Sequence, residues 1–159
     1  MQNNVIRALA RGWEGIAVEG YRPGAPAGVE RHTILGKRKS DPGESGPRLE
    51  VRYFELAPGA ATRLEKHEHE HFVIVKAGLG HAIVGESLAE ISPNDVVYVG
   101  PFQPHQFLNR GDEPFGFFCI VDAARDVSAE LSPREREVLE ASPAGRVMRT
   151  DVPRPALRL

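Results

Sequence analysis

Leu64 to Phe72 reads LEKHEHEHF, nine residues that hold three histidines and three glutamates. Glu65, His67, His69 and His71 fall two apart, so an extended strand turns all four side chains to one face. Glu68 and Glu70 have the opposite parity and read as solvated charges. Imidazole nitrogen and carboxylate oxygen suit Mn, Fe, Co, Ni and Zn. Two such groups at i and i+2, about 6–7 Å apart along a strand, bracket one ion if both lean towards it. A third ligand has to follow a bend or come from a neighbouring strand, and a fourth from a distant part of the chain. The competing reading is a histidine-rich exposed strand that holds no ion.

Turn residues punctuate the chain on both sides of this stretch, and the segments between them are rich in β-branched and aromatic residues. Upstream, Arg31 to Gly36 reads as a strand that leads into the polar loop KRKSDPGESGP, and Arg48 to Leu56 reads as a clearer one that stops at Pro58-Gly59. Downstream, FVIVKA is a near-continuous apolar run, the pattern of a strand covered on both faces, and Gly78 and Gly80 break it. Gly80 to Val84, Leu88 to Ile91, Val96 to Val99, Gln103 to Leu108 and Phe115 to Val121 bring the set to about eight. Strands this short and regular predict an all-β sandwich or barrel. Ser132-Pro133-Arg134-Glu135 has the capping-box pattern and predicts one helix, Arg134 to Ala141, with Pro143 after its end. The tail beyond Gly145 reads as extended.

The chain has 159 residues, enough for one domain with a sizeable core. Three parts of it are expected: an extension and first strands over 1–47, a barrel core over 48–126, and a helix and tail over 127–159. The net charge is −2 and Lys37-Arg38-Lys39 is too short for a nucleic-acid footprint, so no nucleic-acid partner is expected. No apolar run approaches the ~18 residues that span a bilayer. MQNNVIRALARGWEG lacks the apolar centre of a secretory signal, and Cys119 is the single cysteine, which excludes an internal disulfide. A cytoplasmic protein without a membrane partner is the expectation.

The distant ligand is offered by Val99 to Asn109, VGPFQPHQFLN, where His105 follows Pro104 at the start of a short apolar strand. Here the sequence resembles the cupin superfamily. Gly59, Glu65, His67, His71 and Gly78 keep the spacing of the first cupin motif, with Glu65 where His is usual and His71 where Glu is usual. Asn94, Gly100, Phe102, His105 and Asn109 keep the spacing of the second, although only His105 and Asn109 keep the residue type. The resemblance implies a double-stranded β-helix, or jelly roll, with a short C-terminal helix. It implies one divalent ion, Mn or Fe before Ni or Zn, on Glu65, His67, His71 and His105. His69 falls where cupins turn between strands and is the reserve ligand or a substrate-facing group.

Gly111 to Asp126, GDEPFGFFCIVDAARD, taken with LEKHEHEH and PHQF, is similar to a narrower group of bacterial single-domain cupins. That group includes a methylsulfurylase of 1-methylthioxylulose 5-phosphate. The resemblance implies a metal-dependent enzyme that removes a methylthio group to leave deoxyxylulose 5-phosphate, with a thiol as possible co-substrate. An Fe(II) dioxygenase and a non-catalytic sugar- or small-acid-binding cupin are the alternatives. Cys119 shares parity with Phe115, Phe117 and Val121, so it is either a small core residue or a nucleophile facing the cavity. Arg52 and Arg63 are candidate phosphate binders, and Gln106, opposite in parity to His105, faces away. Members of such a group often form homodimers through edge strands, and the first 30 residues could add a strand to a partner.

Overall fold

The alternation of buried and exposed residues along short strands builds two facing sheets. The computed structural model of the protein describes residues 9–20, 28–35, 49–122 and 127–151. Within them the strands are β1 (Glu19–Gly20), β2 (Val29–Leu35), β3 (Leu49–Leu56), β4 (Lys66–His67), β5 (His71–Ala77) and β6 (Gly80–Val84). β7 (Ser87–Ile91), β8 (Val96–Val99), β9 (His105–Leu108), β10 (Phe115–Asp122) and β11 (Ser128–Ala129) follow, then helix α1 (Pro133–Ala141). The large sheet runs β1-β2-β3-β10-β5-β8, the small one β7-β6-β9, and β11 pairs with β4. All pairings are antiparallel. This is the expected jelly roll, with three two-residue strands that the sequence reading did not separate. Gly36, Arg48 and Lys37-Arg38-Lys39 lie outside the described residues.

One core joins the two sheets. Phe54 and Leu56 of β3, Val73 and Val75 of β5, and Phe115, Phe117 and Val121 of β10 meet Ala82, Ile91 and Phe107 of the small sheet. A second core, Ile83 and Leu108 with Leu131, Leu139 and Ala144, seats α1 on the far face of the small sheet. Truncating Leu139 there would cost about 2–5 kcal/mol. The helix starts as its sequence dictates: Ser132 Oγ accepts from Glu135 N–H at 3.3 Å, and the Glu135 carboxylate accepts from Ser132 N–H at 2.7 Å. Pro143 does not merely follow the helix; it opens a 3₁₀ turn, Pro143–Arg146.

Gly78 has φ +72°, and a Cβ there would drive into the Pro114 carbonyl, so the break after β5 needs glycine. The reading of FVIVKA as covered on both faces is corrected. Phe72 and Ile74 are 48% and 38% exposed, whereas His71, Val73 and Val75 are buried. The outward residues instead lie beside outward neighbours of β8, Phe72 opposite Tyr98 and Ile74 opposite Val96, and such cross-strand pairs shelter each other sideways. Trp13 folds over the other end of this face against Tyr53 and Phe118, with ring centroids 4.9 and 5.7 Å away. β1 pairs with β2 of its own chain. Among the described residues no helix is long and apolar enough to cross a membrane.

Candidate metal centre

β4 ends at His67, the chain bends through Glu68 to Glu70, and β5 starts at His71, so both strand histidines point into the barrel while Glu68 and Glu70 stay exposed. His69 lies in the bend and is also buried, at 1% exposure. One ligand atom each from His67, His69 and His71 fall within 4.8 Å of one another, a spacing that one ion can bridge. His69, read from sequence as the reserve ligand, thus belongs to the tightest group. Its ring stacks on His71 with centroids 4.7 Å apart.

The other two expected ligands arrive together. Glu65 and His105 form a backbone bridge, with Glu65 N–H donating to His105 O at 3.2 Å and His105 N–H to Glu65 O at 2.9 Å. The His105 ring stands 4.7 Å from His71 and 5.3 Å from His67, and Glu65 Oε1 is 3.4 Å from His67 Nε2. The structure therefore brings Glu65, His67, His71 and His105 around one cavity, with His69 stacked on His71 and outside the cavity lining.

The donors suit an ion. Burial, then neighbouring His105, His67, His69 and Arg52, hold the His71 imidazole far below its ordinary pKa. Burial lowers His105 to about 4. Both are neutral, the form that offers a lone pair. His105 Nδ1 is 3.0 Å from Gln103 O, a partner that leaves Nε2 as the ligand atom. His71 Nε2 is buried without a hydrogen-bond partner among the described residues. One carboxylate among imidazoles is compatible with Mn, Fe, Ni or Zn.

The wall has two chemistries. Arg52, Thr62 and Cys119 line it beside the ligands, and Phe54, Phe107 and Phe117 form an apolar side. Its free volume is about 30 Å³, room for one or two water-sized groups, so anything larger must extend towards the mouth. Cys119 faces inwards, 3.3 Å from His71 Nδ1. Arg52 also faces inwards but is shared with Glu50, Nη2 to Oε2 at 2.5 Å, a pair buried on the same strand. Glu50 was not singled out from sequence, although its i, i+2 spacing to Arg52 on an inward face could have shown it. Arg63 does not line the cavity; its guanidinium approaches Glu65 Oε2 at 4.0 Å. Gln106 turns away as its parity requires, donating to Thr62 O at 2.8 Å and Arg149 O at 2.9 Å.

A histidine and glutamate cavity inside a jelly roll agrees with the match of residues 52–121 to the Cupin domain family. The chain belongs to the cupin family. It is 37% identical over 117 residues to 1-methylthio-D-xylulose 5-phosphate methylsulfurylase of Rhodospirillum rubrum, an alignment covering 72% of this chain and 70% of that protein. A cupin 2 domain-containing protein from Halorhodospira halophila has a similar crystal structure, with TM-score 0.70, 34% identity, and coverage of 92% and 95% of the two chains. A cupin 2 conserved barrel domain protein from Rhodopseudomonas palustris has TM-score 0.71 and 31% identity, covering 86% of this chain and 91% of that one.

Proposed function

We propose that this cupin is a metal-dependent enzyme that removes the methylthio group from 1-methylthioxylulose 5-phosphate, leaving deoxyxylulose 5-phosphate. The observation that carries the reading is the cavity-facing thiol of Cys119 beside His71. The name of the Rhodospirillum rubrum relative supplies the substrate. Glu65, His67, His71 and His105 would hold the ion, and the His69 ring stacks on His71. A divalent ion bound there supplies Lewis acidity to a ketose carbonyl.

Cys119, as thiolate, attacks the methylthio sulfur. The sulfur–C1 bond breaks as the new sulfur–sulfur bond forms, and its electron pair passes to the C2 carbonyl oxygen. C1 then takes a proton and becomes a methyl group. Cys119 is left as a mixed disulfide with methanethiol, which an external thiol opens, carrying off the methylthio group and restoring the cysteine. Carbon is reduced and sulfur oxidised in equal measure, so no other oxidant is needed. Phe54, Phe107 and Phe117 supply an apolar wall that suits the methylthio end, in keeping with favourable sulfur–aromatic contacts. The narrow free volume leaves the sugar phosphate chain towards the mouth, with Arg52 the nearest cation on the wall.

The test is turnover of the methylthio ketose phosphate by the metal-loaded protein with dithiothreitol and without oxygen. Deoxyxylulose 5-phosphate should accumulate, and omission of the thiol should leave one methylthio group on Cys119 by mass spectrometry. Turnover that requires oxygen would replace this reading with a dioxygenase, and tight binding without conversion with a binding module.

A further inference from the structure

Residues 127–151 lie beyond the stretch matched by the cupin family, and they hold the two strands that carry His67 and His105. β11 pairs with β4, Ser128 opposite His67 and Ala129 opposite Lys66. Lys66, on the opposite face of β4 from His67, donates to both carboxylate oxygens of Glu135 in α1 at 2.6 and 2.7 Å. The second hold is on β9. Gln106, next to His105 and fully buried, donates to Arg149 O at 2.9 Å, and its Oε1 accepts from Arg149 N–H at 2.8 Å. Arg149 Nη1 also donates to Gly59 O at 2.9 Å. Leu131, Leu139 and Ala144 fill the space between these holds against Ile83 and Leu108.

Successive side chains of a strand point to opposite faces, so a residue fixed outside fixes the direction of its neighbour inside. We infer that the C-terminal segment is a positioning device for the metal centre, in which Glu135 through Lys66 aims His67 and Arg149 through Gln106 aims His105. This rests on the histidine and glutamate cluster binding a divalent ion. Lys66, Gln106, Glu135 and Arg149 touch neither ion nor substrate; they set where the ligands stand. The arrangement parallels the outer partners that orient metal ligands elsewhere, except that here the link passes through the backbone.

The test uses the full chain, freed of metal, with Co²⁺ alone as probe, read by its dissociation constant and by its visible spectrum. Lys66→Met and Glu135→Gln should each weaken Co²⁺ binding by roughly 10-fold or more and alter the spectrum. Lys66→Arg should restore both, and Glu140→Gln, an exposed change on the same helix, should move neither. Gln106→Leu should act like Lys66→Met; if it does not fold, the half-buried Glu135→Gln still decides the matter. Unchanged affinity and spectrum in Lys66→Met and Glu135→Gln would overturn the inference while leaving the metal site standing. No Co²⁺ binding by the unaltered chain would overturn the metal site and the inference with it.

Discussion

Cys119 stands directly opposite Arg52 in the pairing of β10 with β3, and both side chains face the cavity. The sulfur is thus placed between the Arg52 strand on one side and the His71 ring, 3.3 Å away at Nδ1, on the other. Cys119→Ser should keep its metal by elemental analysis and lose methylthio transfer by at least ~1,000-fold. A serine variant with full turnover would return Cys119 to the status of a small core residue.

The imidazoles of His67, His69 and His71 should not be equivalent. His67→Ala and His71→Ala each remove a donor from the cavity wall and should weaken Mn²⁺ or Co²⁺ binding by at least ~100-fold, beyond what outer partners usually cost. His69→Ala should cost only ~10-fold, because its ring stacks on His71 without lining the cavity. Isothermal titration of the three variants measures this, and a His69 loss equal to that of His71 would place His69 among the ligands.

Arg52 and Glu50 should be coupled through burial. Glu50 Oε1 receives no hydrogen bond among the described residues, so Arg52 supplies most of what offsets its charge. Arg52→Met leaves a buried carboxylate without this cation and should lower unfolding free energy by about 3–5 kcal/mol. The double variant Glu50→Leu/Arg52→Met should recover much of that loss. Urea unfolding of the single and double variants gives the coupling directly.

The Lys66–Glu135 contact should show itself in acid. Hydrogen bonds from Lys66, then from the Ser132 amide and hydroxyl, hold the Glu135 carboxyl down at about 2, against an ordinary value of 4.5. A depressed acid contributes stability that is fully present above the unfolded pKa and is lost as pH falls through the folded one. The stability difference between the native chain and Glu135→Gln should therefore be constant above about pH 5 and vanish below about pH 2. Its size should be about 1 kcal/mol or less, because the pair is partly exposed. Urea midpoints across that range test it, and a difference that grows in acid would contradict the sign.

Local signals carried much of this architecture. The Ser132–Glu135 cap, the two-residue spacing of Glu65, His67 and His71, and the inward parity of Cys119 are relations among near neighbours, and near neighbours leave periodic marks. FVIVKA misled because apolar residues fill both parities of β5, so pattern alone hides that Phe72 and Ile74 meet solvent. Lys66 and Glu135 are separated by 69 positions, and Gln106 and Arg149 by 43. No spacing rule links residues that far apart, so the holds on β4 and β9 became visible only once the chain was folded. Glu50 was overlooked for another reason: a charge on a strand otherwise rich in charge looks solvated until its face is known.

Trp13 is the single tryptophan of the chain, and it is lodged on the side of the large sheet that faces away from the barrel, with the Lys76 ammonium 4.9 Å from its ring centroid. Optically the molecule is therefore labelled at its margin. Intrinsic fluorescence will follow the detachment of residues 9–18 from Tyr53 and Phe118, and it will be nearly blind to events among the histidines across the sheet.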